Sequence, residues 1–367
     1  MRKLLFWGCL LCLGPLAACG QAKFLLVGTY SQRGSEGVYV YRFNAKTGAL
    51  SLASVAKGFQ NPSFLALSPG GQRVYVVEEV PAGRVNALAF DDKTGQLANL
   101  NAQPGRGDSP CHVAVDQTGR WVLVGNYSSG NLSVLPVQPD GSLGPATQTI
   151  QHEGRGPNPQ RQEKPHVHSV NLAANNRDVI VPDLGIDKLV AYTLDARTGT
   201  LAPASPPHVA VAPGAGPRHF AFHPRLPYAY AILELSSEVA AFRYENGQLA
   251  PLQSVSTLPQ GQAGANSCAD IHVSPDGKFL YGSNRGHNSI VVYRIDQATG
   301  QLALVQHQPT LGDTPRNFAL DPAGRFLLVA NQNSDHLQVF RRDRKTGRLA
   351  PTGQSVKVPA PVCLKFR

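Results

Sequence analysis

Four residues of this sequence, His166, Arg218, Glu234 and Arg285, supply an imidazole, a carboxylate and two guanidiniums. Glutamate and histidine can move protons near neutral pH once their surroundings tune them. Arginine stays charged and grips carboxylate or phosphate oxygens bidentately. The stretch GPRHFAFHP at 216–224 raises the question of position: Phe220 and Phe222 alternate as in a half-buried strand, yet Arg218 and His219 open it. Other chemistries lack their parts. No Gly-x-Ser-x-Gly elbow occurs, and no Gly-rich phosphate loop runs into a helix. His166 and His168 have no clear third ligand for a metal, and no cofactor is implied.

The elements that must position these residues follow from internal repeats. One unit recurs as AKFLLVGT from Ala22, GQRVYVVE from Gly71, GRWVLVGN from Gly119, NRDVIVPD from Asn176, LPYAYAIL from Leu226, GKFLYGSN from Gly277 and GRFLLVAN from Gly324. The starts are 49, 48, 57, 50, 51 and 47 residues apart. A second apolar unit follows each, from VYVYRF at 38 to LQVFRR at 337, and a turn such as KTGAL or KTGRL closes it. The turn glycines, Gly48, Gly95, Gly141, Gly199, Gly247, Gly300 and Gly347, suit a position of positive φ. Seven units of several short strands predict an all-β, seven-bladed β-propeller. A third motif (NPSFLAL, SPCHVAV, KPHVHSV, GPRHFAF, SCADIHV, TPRNFAL) precedes every first unit except that at Ala22. Its seventh copy, APVCLKF, lies at 360–366, so this strand should join the N-terminal blade and close the ring.

We name the strands of a blade A to D, with A the GPRHFAF motif. The apolar places of A (Phe220 and Phe222, Phe318 and Leu320, Val113 and Val115) should pack between sheets. The start of A lies beside the end of B, and with A innermost both line one mouth of the central channel. The first two places of A hold Ser63-Phe64, Cys111-His112, His166-Val167, Arg218-His219, Ala269-Asp270, Arg316-Asn317 and Val362-Cys363. The residues just past B are Tyr30, Glu79, Tyr127, Leu184, Glu234, Arg285 and Gln332. Structural places in a repeat should resemble one another, and these do not. Such a ring of charged and titratable groups is the form a polar ligand site takes. For His112, His219, Glu79 and Arg316 structural roles compete: neighbouring carboxylates for the arginine, backbone groups for the histidines.

Residues 1–20 read as a targeting segment. Arg2 and Lys3 precede an apolar run, and Leu16-Ala17-Ala18-Cys19 resembles a lipobox in which Cys19 receives lipid. The expectation is an exported chain, periplasmic or in the cell envelope, touching membrane only through that anchor, with one propeller domain over 21–367. Losing Arg2 and Lys3 would lower the net charge from +10 to +8. The basic residues are scattered, without the basic and aromatic clusters of a nucleic-acid binder, and fit an anionic small ligand. Outside the targeting segment, Cys111, Cys268 and Cys363 form neither a disulfide framework nor a zinc motif. A monomer is expected.

Residues 164–195, 216–244, 270–296 and 313–349 resemble the lactonase-type seven-bladed propellers, and the likeness covers essentially all of 22–367. That family contains bacterial 6-phosphogluconolactonases and fungal carboxy-muconate cyclases. The motifs that carry it are PHVH, DLGID, GPRHFAFHP, ELSS and SNRG. The family's proposed site is a His, two Arg and a Glu. The resemblance places these on His166 (with His168 the alternative), Arg218, Arg285 and Glu234, the same mouth that the repeat register picks out. His168, His219, Arg316 and Asp183 join them as substrate contacts. The chain departs from the family pattern at Leu233, where relatives usually carry a polar residue; either desolvation there raises the pKa of Glu234 or the change marks a different substrate. The implied activity is hydrolysis of a small anionic lactone, with Glu234 or His166 as base and the arginines holding the anion and oxyanion. A carboxy-muconate-type cyclase and a non-catalytic propeller that binds a sugar acid or a protein are the rival readings.

Overall fold

Runs of β-branched and aromatic residues between short polar turns form strands along the whole described chain, residues 24–262 and 264–367 of a computed structural model. The targeting segment and Cys19 lie outside the described residues. The strands make seven four-stranded antiparallel sheets, which we number as blades 1 to 7. Blade 1 takes its A strand, Pro361–Phe366, from the far end of the chain and its others from Phe24–Thr29, Gly37–Phe43 and Leu50–Lys57. Leu26 pairs with Lys365 and Val27 with Leu364, so the ring closes as the repeats require. The Phe24 and Arg367 backbones exchange hydrogen bonds of 3.1 and 2.9 Å at the seam.

Blades 2 to 7 follow in chain order, and blade 5, which carries the GPRHFAF motif, runs Pro217–Phe222, Tyr228–Leu233, Glu238–Glu245 and Gln248–Ser256. The A strands are innermost. Rings from four blades meet around the axis, His219 lying 5.9 Å from Phe64, 5.7 Å from His112 and 5.6 Å from His168.

Apolar faces of neighbouring sheets interdigitate. Phe318, Leu327, Val329 and Phe340 of blade 7 pack on Phe279, Tyr281, Ile290 and Val292 of blade 6, all fully buried. Each such side chain contributes roughly 1.5–3 kcal/mol by leaving water. A tyrosine on several B strands ties its blade to the next turn: Tyr75 donates to the Gly141 carbonyl (3.2 Å), Tyr230 to Gly300 (3.0 Å) and Tyr281 to Gly347 (2.8 Å). All seven turn glycines have φ between 74° and 90°, the left-handed conformation the sequence asked of them. A Cβ on Gly141, Gly300 or Gly347 would also meet Arg73, Tyr228 or Phe279, the residue two places before each tyrosine, so the turn needs glycine both for its φ and for this close approach.

Candidate active site

In blade 5 the A strand turns through a bulge between Pro217 and His219, and Pro217 faces Leu233. This aims Arg218 at the end of the B strand, where Glu234 follows. Fifteen residues separate Arg218 from Leu233, Cys111 from Asn126 and Arg316 from Asn331. Blade 4 has only Asn171–Leu172 as a regular inner strand, preceded by an isolated bridge between Val167 and Asp183. Val167 thus stands where Pro217 stands, and His168 takes the place of Arg218. The register built on Pro165 was two residues early.

The consequence is a different histidine at the pocket. His168 is buried, with Nε2 4.0 Å from Glu234 Oε2 and Nδ1 3.7 Å from the Cys111 sulfur. His166 turns aside: its ring stacks 4.4 Å from Tyr127, its Nδ1 meets the Tyr127 carbonyl at 3.0 Å, and its Nε2 meets Glu163 at 3.2 Å. Asp183 is also not a pocket group. It is fully buried, holds His152 Nδ1 at 2.7 Å, and accepts the backbone N–H of His166 and Gly185 at 2.7 and 3.0 Å. Its work is to fix the segment that carries His168.

The pocket itself is a cavity of about 280 Å³ lined by Glu79, Cys111, Tyr127, Arg161, His168, Glu234, Ser267, Arg285 and Arg316. Glu234, only 3% exposed, is its centre. Arg218 Nε lies 2.8 Å and Arg285 Nη2 2.9 Å from Oε2, while Arg161 Nη2 donates to Oε1 at 2.6 Å. Burial pushes the Glu234 carboxyl up, but Arg285, Arg218 and Arg161 outweigh it and hold it down at about 2. The rise expected from Leu233 is therefore overturned: the desolvation is present, and three guanidiniums overcome it.

For Arg218 burial and the nearest charges act together, against the charged form. It is 2% exposed, and burial first, then the neighbouring charges of Arg285 and Arg316, bring its pKa down to about 10. Besides Glu234 it reaches the Ala269 carbonyl and, at 3.2 Å, His219 Nε2. Burial, then Arg218 and His219, keep His168 well below the usual histidine range, so it is neutral at pH 7.

His219 lies behind Arg218, away from the pocket wall, with Nδ1 2.7 Å from Asp270 Oδ1. Burial and Arg218 lower its pKa to about 4. Arg316 does line the pocket; its guanidinium sits 5.2 Å over the Tyr30 ring, and the Tyr30 hydroxyl reaches both Glu79 oxygens at 3.1 Å.

Arg161 is the residue that sequence reasoning missed. Its signal was the 57-residue spacing, the widest of the six, which leaves a long insertion ahead of PHVH. Among the described residues, no group of three or more His, Cys, Asp or Glu side chains is arranged to hold a metal.

A seven-bladed ring closed by its last strand, with a buried carboxylate and three arginines at one channel mouth, defines a propeller with a polar small-molecule site. The chain belongs to the lactonase family of seven-bladed β-propellers, whose model matches residues 24–366. The 6-phosphogluconolactonase of Bacillus subtilis is 43% identical over 343 residues, covering 93% of this chain and 97% of its own. That of Formosa agariphila is 39% identical over 305 residues, 81% of this chain and 86% of its own. Among solved structures, the periplasmic gluconolactonase of Pseudomonas aeruginosa superposes with a TM-score of 0.90 at 39% identity, over 94% of this chain and 98% of that one.

Proposed function

We propose that this pocket hydrolyses a small anionic lactone, with Glu234 as the base and His168, rather than His166, as its partner. The observation that carries the reading is the ionised Glu234 carboxylate, 4.0 Å from a neutral imidazole, inside a cavity walled by arginines. A water held between His168 and Glu234 gives a proton to the carboxylate, and its oxygen bonds to the lactone carbonyl carbon. The carbonyl electron pair moves onto oxygen, beside the guanidiniums of Arg285 and Arg218. Collapse breaks the ring C–O bond, and Glu234 returns the proton to the departing alkoxide. The products are a carboxylic acid, which ionises, and a hydroxyl; no cofactor enters the balance. Lactones are already activated esters, so a base effect of about 10²–10⁴-fold is an adequate share of the rate.

The test is a panel of lactones with and without phosphate or carboxylate groups, assayed on the purified protein and on Glu234→Gln. Turnover should fall in the variant by about 10²–10⁴-fold with binding largely kept. Unchanged turnover in Glu234→Gln removes the base, and a wild type inactive on every lactone favours a binding propeller.

Export fits the same reading. The Leu-Ala-Ala-Cys sequence at 16–19 supports lipidation of Cys19, and the Pseudomonas aeruginosa relative is described as periplasmic. A substrate outside the cytoplasm then becomes the natural partner, taken by a monomer. Cys19→Ser should release the protein from membranes or block its processing; a wild type without N-terminal lipid would sink the assignment.

A further inference from the structure

A base with a pKa of about 2 is a weak base, and both oxygens of Glu234 are taken in the resting site. One of its three cations has to leave for the carboxylate to accept a proton readily. The three are not equally free to do so. Arg218 is buried and also held by the Ala269 carbonyl and His219. The Arg285 side chain is 14% exposed and donates to the Ser267 and Cys268 carbonyls at 3.4 and 2.8 Å. The Arg161 side chain is 40% exposed, and among the described residues its one other hydrogen-bond partner is the Tyr127 hydroxyl at 3.4 Å.

The backbone beneath Arg161 is fixed. Its neighbour Gln162 is fully buried and reaches the Leu184 carbonyl at 2.8 Å and Asp187 at 2.7 Å, and its N–H closes a turn on Asn158 at 2.7 Å. A side-chain rotation, not a loop opening, would move the guanidinium. Such a rotation costs little on an exposed arginine if another anion meets it.

Resting on the lactonase reading, we propose that Arg161 is an exchangeable cap on Glu234, which the anionic group of the substrate draws off, so that a charged lactone unmasks its own base. The remaining groups that face Glu234 stay in place: Arg218 from its own blade, Arg285 and Cys268 from blade 6, Arg316 from blade 7, and His168 and Tyr127 from blades 4 and 3. Removing one of three cations raises the basicity of the carboxylate while the other two keep it ionised at neutral pH. Preference for anionic lactones would then be partly a rate effect, beyond binding alone. Arg161 would be a residue of specificity, opposite in its action on charged and neutral substrates.

The experiment compares D-glucono-1,5-lactone with its 6-phosphate on wild type, Arg161→Gln and Arg161→Ala. On the phosphorylated lactone kcat/KM should fall by tenfold or more in both variants. On the neutral lactone it should rise, and the acid limb of its pH profile should move to higher pH because Glu234 then titrates higher. Equal losses on the two lactones, or an unmoved acid limb, would overturn the cap. Melting curves identify a variant that fails to fold, and the other then decides. If the wild type hydrolyses neither lactone, the functional reading fails by itself, and calorimetry with inorganic phosphate decides the cap: wild type should bind at least tenfold more tightly than Arg161→Gln, and equal affinity rejects it.

Discussion

His219 and Asp270 form a buried pair 2.7 Å apart that bridges blades 5 and 6 directly behind the pocket. Asp270 Oδ2 also accepts from Asn317 at 2.6 Å and meets His272 at 2.8 Å, so one carboxylate joins three blades. With its Nδ1 turned to the carboxylate, His219 offers Nε2 to Arg218 at 3.2 Å, and Arg218 in turn reaches Glu234 at 2.8 Å. The pocket's fixed arginine is therefore oriented from the channel side. Asp270→Asn keeps the shape but removes the charge and an acceptor. It should cost about 1–3 kcal/mol, read as a lower urea midpoint with an unchanged slope. Turnover should fall as Arg218 loses its backing. A variant as stable as wild type would show that the pair is dispensable.

Acid should unfold this protein in two stages. His219, lowered to about 4, is neutral when folded, so its contribution is complete above the ordinary histidine value of 6.5 and is lost as pH falls towards 4. Glu234, lowered from 4.5 to about 2, contributes fully above 4.5 and loses its share between there and 2, on the order of 3 kcal/mol. Unfolding free energies measured from pH 7 to 2 should decline through both windows. Glu234→Gln should be less stable at pH 7, because three guanidiniums lose their counter-charge, and should show a shallower lower stage, the share of Asp270 and other lowered carboxylates remaining. A lower stage of undiminished size in the variant would place its origin elsewhere.

Residues 361–367 are a strand of blade 1 and the partner of Phe24. Deleting them bares the inner edge of that sheet and leaves Cys363 and Leu364 missing from the clusters shared with blades 2 and 7. The loss is large against a total stability of about 5–15 kcal/mol, so the truncated chain should aggregate or melt far below wild type. A soluble product with the wild-type melting temperature would contradict the closure.

Gly185 is open to a sharper test. A Cβ there would overlap the Lys164 carbonyl and crowd the His166 nitrogen, both fixed backbone atoms. Gly185→Ala should push away the segment that carries His168, costing about 1–3 kcal/mol and reducing turnover. Gly261→Ala meets nothing within 4 Å but has φ of +75°, so it should affect stability modestly and turnover not at all. Equal activity losses in the two would remove the steric explanation.

The ring was legible because each blade repeats the same burial demand: the apolar places of Phe318 and Val113 recur in every A strand, and the final strand had only one sheet left to join. Arg218, Glu234 and Arg285 were legible because each breaks a repeat at its own position. His168 was legible only as the alternative to His166, since a register anchored on Pro165 favours His166 while the fold counts back from Asp183. Arg161 lay in an insertion with no counterpart in other blades, where repeat logic has nothing to compare. The low pKa of Glu234 was out of reach for the same reason, because one of the cations that set it came from that insertion.

The seam at Phe24 and Arg367 carries a last consequence. Two backbone hydrogen bonds hold these residues as neighbours on adjacent antiparallel strands, the geometry of a hairpin without its loop. A short turn could link them, and new ends could be cut in the exposed Lys345-Thr346 turn, far along the sequence from every pocket residue. Every strand would keep its neighbours while the order of synthesis changed. The fold would then be a circle that happens to be written from one starting point, and a permuted chain with the same lactone kinetics would make that interchangeability visible.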